Sequence, residues 1–106
     1  MRGRAEREMG PPVELAMDVV RKRWKASVLL ELGDGNLRFG ELHARLPVVA
    51  HKVLTEVLRE LAVDGLVTRN PLPGRTRHVQ YALTDEGATL LPIMRALRAW
   101  RTDRAS

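Results

Sequence analysis

Five polar side chains recur on one side of a helical stretch: His51, Lys52, Thr55, Glu56 and Arg59. At about 100° per residue they span an arc of about 140°, and the aliphatic set Val53, Leu54, Val57, Leu58 and Leu61 spans a similar arc on the opposite side. One face is made to be buried and the other is free to recognise something. An ammonium or guanidinium can donate to guanine O6 and N7, and a carboxylate can accept from cytosine N4, so this face carries the groups that read base edges in a major groove. Immediately downstream, no carboxylate occurs between Asp64 and Asp85, while Arg69, Arg75, Arg77 and His78 cluster around Pro73-Gly74. An acid-free basic stretch beside a polar helix face points to a polyanion. An isolated amphipathic helix would more simply be a solvated surface, and it is the adjacent hairpin that favours the nucleic-acid reading.

Composition bounds the alternatives. The 106 residues hold 18 basic and 13 acidic side chains, for a net charge of +5, with 44% hydrophobic content and no cysteine. One hydrophobic core fits this length, and two would each be too small. The absence of cysteine excludes disulfides, thiolate metal sites and thiol nucleophiles. No apolar run approaches the roughly 20 residues of a membrane span, and no secretory signal is visible, so a soluble cytoplasmic protein is expected. The charge is unevenly placed: +3 over residues 1–25, −2 over 26–66, +3 over 67–83 and +1 over 84–106. His43, His51 and His78 lie on different elements without the companions of a metal site, and no Gly-rich phosphate loop or nucleophile motif occurs. Neither an enzyme nor a cofactor is expected.

The elements that must position these groups emerge from periodicity and punctuation. Residues 1–10 lack apolar periodicity and read as a mobile arm, leaving 11–106 as a single domain. Pro11 and Pro12 suit a helix start, after which Val13, Ala16, Met17 and Val20 repeat at helical spacing to about Lys22. A second helix, Trp24 to Leu32, ends at the Gly33–Asn36 turn. Leu37, Arg38 and Phe39 form a very short strand before a third helix from Gly40 to Leu46, closed by Pro47. The fourth helix runs from Ala50 to Asp64 and stops at Gly65. Leu66 to Asn70 and Arg77 to Leu83 alternate as two strands around Pro71-Leu72-Pro73-Gly74, predicting a β-hairpin. Thr84 is an N-cap, with Asp85 and Glu86 in the first turn of a final helix to about residue 101 that Pro92 should kink. The order is that of an α+β, mainly helical, winged helix-turn-helix domain with a small antiparallel wing.

The same residues resemble the HxlR-type winged helix-turn-helix transcriptional regulators. The resemblance rests on Pro12-Val13-Glu14, Arg23-Trp24-Lys25, Leu37-Arg38-Phe39-Gly40-Glu41-Leu42, the run from Lys52 to Leu61, Asp64-Gly65-Leu66-Val67 and Tyr81-Ala82-Leu83-Thr84-Asp85-Glu86-Gly87. It extends from about Pro11 to Trp100. It implies a prokaryotic homodimeric regulator on a two-fold symmetric operator, with the first and last helices as dimer interface. Three positions depart from the family pattern. Pro11 stands where members often carry a cysteine that some use as a redox sensor, so thiol sensing is excluded for this chain. Ala50 replaces the serine that usually opens the recognition helix, and Glu56 stands where glutamine is common.

These readings give specific expectations. Double-stranded DNA is contacted by His51, Lys52, Thr55, Glu56 and Arg59 on the fourth helix and by Arg75 and Arg77 on the wing. Arg38 and Lys25 are expected to hold backbone phosphate, with a packing or capping role as the alternative for Arg38, while Arg21, Lys22 and Arg23 remain solvated. Glu56 and Arg59 could instead pair with each other along the helix. Val13, Met17, Val20, Ile93, Leu97 and Trp100 are expected to form the homodimer interface, with the monomer core as the alternative for Ile93, Leu97 and Trp100, and Trp24 and Phe39 belong to the core. Repression by promoter occlusion is the simpler mechanism. A small-molecule effector is left unidentified, and a winged-helix protein-interaction module without specific DNA binding is the alternative function.

Overall fold

The computed structural model describes residues 12–74 and 79–105, with side chains described for 13–74 and 79–100. Four helices precede the hairpin: α1 (Pro12–Arg21), α2 (Arg23–Leu32), α3 (Phe39–Arg45) and α4 (His51–Val63). The two-residue strand β1 (Leu37–Arg38) lies between α2 and α3, and β2 (Val67–Pro71) and β3 (Val79–Leu83) come after α4. A single-turn helix, α5 (Asp85–Ala88), and a longer one, α6 (Leu91–Ala105), complete the order. The three strands form one antiparallel sheet in the order β1-β3-β2. Leu37, Tyr81 and Arg69 stand in one row across it.

The core lies between α2, α4 and the sheet. Leu54, Leu58 and Leu61 of α4 are buried against Val28, Leu29 and Leu32 of α2, as the periodicity predicts. Leu42 of α3, Val49, Leu66 and Met94 of α6 complete the cluster. Val53 and Val57, counted in the aliphatic arc of α4, behave differently: Val57 is half-buried and Val53 is exposed at the margin. Trp24 and Phe39 are both half-buried and pack against this cluster.

The final helix differs from expectation. Thr84 caps α5 as predicted, its hydroxyl accepting from the Gly87 amide at 2.9 Å, but the helix ends after one turn and α6 begins at Leu91. Pro92 therefore sits at the second position of a new helix, where its missing N–H has no acceptor to satisfy, and it produces a restart instead of a kink. Leu90, Leu91 and Met94 are buried, leaving Ile93, Leu97 and Trp100 on the outward side of α6.

The link between α4 and the hairpin is tightly specified. Gly65 adopts φ +80°, the left-handed geometry expected of a helix stop. Leu66, fully buried, then offers its carbonyl to the Thr84 amide at 3.1 Å, and the Thr84 hydroxyl donates to the Gly65 carbonyl at 2.7 Å. Gly87 packs directly on the Leu66 carbonyl: a Cβ there would stand 2.1 Å from its oxygen. The obstacle is backbone and cannot swing aside, so Gly87→Ala should cost about 2–3 kcal/mol through forced displacement. Gly40→Ala, which meets nothing within 4 Å, should be neutral or slightly stabilising. Urea denaturation of the two variants beside the parent checks the contrast, and equal midpoints would refute it.

Candidate nucleic-acid interface

Helix α4 turns His51, Lys52, Thr55, Glu56 and Arg59 outward, all exposed, on the side away from the core. Ala50 is its N-cap in extended geometry and, lacking a side-chain oxygen, makes no capping hydrogen bond. Entry into the helix is held instead by rings. The His51 ring lies 4.5 Å from that of Phe39 and 5.5 Å from that of His43 (centroid to centroid), and His43 Nε2 is 2.9 Å from the Val49 carbonyl oxygen. His43 and His51 stand on different elements, as the sequence places them, yet folding brings their rings into contact across the α3–α4 turn.

The five exposed groups are not equally available. The Thr55 hydroxyl donates to the His51 carbonyl at 3.0 Å, leaving it as an acceptor only. Arg59 and Glu56 form an ion pair one turn apart, the alternative that their spacing leaves open. That pair raises the Arg59 pKa above its ordinary value, chiefly through the hydrogen bond to Glu56. Lys52 makes no ion pair with a carboxylate among the described residues.

Arg38 is exposed at the end of β1, its amide donating to Glu41 Oε1 at 2.8 Å, and it lines a concavity together with His51 and Thr55 of α4. Arg75 and Arg77 lie outside the described residues. Arg69, part of the basic cluster in the sequence but without an expected contact, is exposed on β2, in register with Tyr81, and lines the same concavity. Strand parity is the signal that could have found it: Val67 is buried, so the second residue beyond it points the same way.

Lys25 departs from its expected role. It is 3% exposed, and its ammonium is held at 2.9 Å from Asp18, 3.1 Å from Glu60 and 3.5 Å from Asp64. A buried cation needs counter-charge more than it needs solvent, and three carboxylates from α1, α4 and the end of α4 supply it. It is a structural charge and does not face a phosphate. Lys22, expected to be solvated, joins the same cluster 3.4 Å from Asp18, and Arg21 pairs with Asp18 at 3.1 Å. Arg23 packs its guanidinium over the Trp24 ring at 4.5 Å.

The helices, the sheet and the projecting hairpin together define a winged helix-turn-helix protein. The model of the HxlR-like helix-turn-helix family matches residues 19–106. An uncharacterised HTH-type transcriptional regulator, YvaP of Bacillus subtilis strain 168, is 40% identical over 96 residues, spanning 91% of this chain and 89% of that protein. Another such regulator from Methanothermobacter thermautotrophicus is 41% identical over 88 residues, spanning 83% and 67%. Among solved structures, the reduced form of the redox regulator HypR superposes with a TM-score of 0.81 at 35% identity, covering 90% of this chain and 94% of that one. The reduced form of the transcriptional regulator YodB from B. subtilis gives 0.76 at 34% identity, covering 85% and 88%. The chain belongs to the HxlR-like helix-turn-helix family, a family of DNA-binding transcriptional regulators.

The Lys25 cluster makes stability depend on pH in a definite direction. Hydrogen bonds from Lys25 hold the carboxyls of Asp18 and Glu60 below their ordinary values of 3.8 and 4.5. For Lys25, burial opposes the charge, but its bonds to Asp18 and Glu60 outweigh burial and raise it above 10.5. The carboxylates thus contribute stability that is present above their unfolded pKa values and lost as pH falls through the lowered folded ones. The ammonium contributes stability that is complete below its unfolded pKa and lost as pH rises through the raised one. Lys25→Met should cost about 2–3 kcal/mol near neutral pH, less than a fully buried pair because the carboxylate side chains keep 24–38% exposure. Denaturation midpoints measured from about pH 3 to 7 should fall more steeply on acidification for the parent than for the variant; parallel curves would show that the cluster carries no such linkage.

Proposed function

We propose that this DNA-binding regulator acts as a homodimer on a two-fold symmetric operator, with α4 in the major groove and the β2–β3 hairpin as a wing. The observation that carries the reading is the outward polar face of α4, whose N-terminal turn sits beside the inner side of a hairpin free of carboxylates. An α-helix fits the major groove, and a flanking basic hairpin reaches backbone or minor groove. Lys52 is the principal base or phosphate contact on the helix, with His51 and Thr55 next to it. Arg38, Arg75 and Arg77 hold the backbone. Repression by occluding promoter elements requires no surface beyond the DNA-binding fold. HypR is described as a redox regulator; with no cysteine in its sequence, this chain has no thiol through which to work in that way.

Support for a dimer comes from apolar side chains that the monomer leaves outside. Val13, Met17 and Val20 of α1 and Ile93, Leu97 and Trp100 of α6 are exposed, at 71% for Val13 and 58% for Trp100. Pro92, Ile93, Ala96, Leu97 and Trp100 line an apolar concavity of about 730 Å³. A surface of this kind on so small a domain suits burial against a second copy. Leu97→Glu should leave the helical content intact and convert a dimer to a monomer by sedimentation equilibrium; a parent that is already monomeric at micromolar concentration would refute the interface.

Selection of bound sequences from random DNA tests the operator, with two half-sites about 10 base pairs apart as the expected result. If each subunit uses Arg38, Lys52, Arg75 and Arg77 on phosphate, the roughly eight contacts of a dimer give a slope near −7 in log affinity against log salt, and a slope near −2 would overturn that assignment. Lys52→Ala combined with Arg75→Ala should abolish operator binding while leaving the thermal unfolding transition in place.

A further inference from the structure

Between the start of α4 and the inner side of the hairpin lies an open concavity of about 510 Å³. Two arginines line it, Arg38 from the edge strand β1 and Arg69 from β2, and neither has a carboxylate partner among the described residues. Its remaining walls include Phe39, His51 and Tyr81. Glu41, the one carboxylate on the rim, already accepts from the Arg38 amide. We infer that this concavity is a receptor for a small aromatic carboxylate, with the anion on Arg69 and Arg38 and the ring among Phe39, His51 and Tyr81.

The chemistry selects that class. A guanidinium presents a planar fork matched to a carboxylate, and its weaker hydration makes an Arg–carboxylate pair easier to form than a Lys pair. The flat rings of Phe39, His51 and Tyr81 reward a ring of the same shape through offset or edge contacts. The volume lies within the range of small-molecule sites. An aliphatic acid would gain the charge contact without the ring contacts, and inorganic phosphate would gain neither the ring nor the burial. Because the site opens between the helix and the wing, an occupant takes the space that the proposed DNA complex needs at both. Ligand binding therefore opposes operator binding, a consequence that rests on the DNA geometry proposed above, while the site itself does not.

The test is a titration of the full chain with 2-naphthoate, monitored by amide chemical shifts in the absence of DNA. Saturable shifts centred on Phe39, His51, Arg69 and Tyr81 are expected, with a dissociation constant on the order of 1 mM or below. Arg69→Gln, at an exposed strand position, should weaken binding at least about tenfold, the loss expected for a charge-assisted contact, while shifts of core amides such as Leu58 stay unchanged. Absence of saturable shifts, shifts centred elsewhere, or equal binding by inorganic phosphate would each overturn the assignment. In parallel, 2-naphthoate should release selected operator DNA from the parent and not from Arg69→Gln. Naphthoate binding at these residues in a protein that fails to bind any selected DNA would sink the DNA reading alone, and intact DNA binding without naphthoate binding would sink the receptor alone.

Discussion

The Leu66 carbonyl sets the relation between the helix and the wing. It belongs to a fully buried residue immediately after the left-handed turn at Gly65, and it accepts the Thr84 amide just beyond the end of β3. Both strands of the hairpin are thereby anchored at one point, with Val67 opposite Leu83. Gly87 lies against the same oxygen without a side chain to displace it. A buried carbonyl has to be satisfied, so the angle at which the hairpin leaves α4 has little freedom. That angle decides whether Arg69 and Tyr81 face the start of α4 or face solvent.

A second fixed point stands at the same, C-terminal end of α4, on the side of α1 and α2. Lys25 gathers Asp18 from α1, Glu60 from the last turn of α4 and Asp64 at its C-cap around one ammonium. Such a cluster is a poor source of net stability, since desolvation opposes the Coulomb gain, but it is unforgiving of displacement because an unpaired charge would remain inside. It joins α1, which carries exposed Val13 and Met17, to the helix proposed to face DNA. Movement at the proposed dimer surface and movement of the reading helix are therefore mechanically related through a contact that has few acceptable alternatives.

Much of the architecture is legible in the sequence because its signals are local. Helix α4 separates its faces cleanly, Gly65 ends it, Thr84 caps α5, and the Pro-Gly loop marks the hairpin; each depends on near neighbours in the chain. Local reading fails where a residue's partner is distant. Lys25 resembles a phosphate contact because Arg21, Lys22 and Arg23 adjoin it, but Asp64 lies 39 residues away, and no local pattern announces that it comes within 3.5 Å. The contact between His43 and His51 depends on the angle of the α3–α4 turn, which composition does not encode. Pro92 is a different case, because the deciding information is local but two-sided: a proline suits the first turn of a new helix as well as it disrupts an old one.

The burial of Lys25 also changes what the net charge means. Of the basic residues grouped in the first quarter, Arg21, Lys22 and Lys25 are all engaged by carboxylates, and Arg23 rests on Trp24. Lys25 is thereby neutralised inside the protein, while Arg21 and Lys22 are paired at the surface, where salt screens them. Arg38, Lys52 and Arg69, by contrast, lack carboxylate partners among the described residues, and the hairpin contributes no acid at all. A modest +5 thus leaves unpaired positive charge on β1, α4 and β2, around the concavity and the start of the helix. In the proposed geometry that charge steers an approaching polyanion toward α4 and the hairpin before any base is read, and draws small anions to the same concavity.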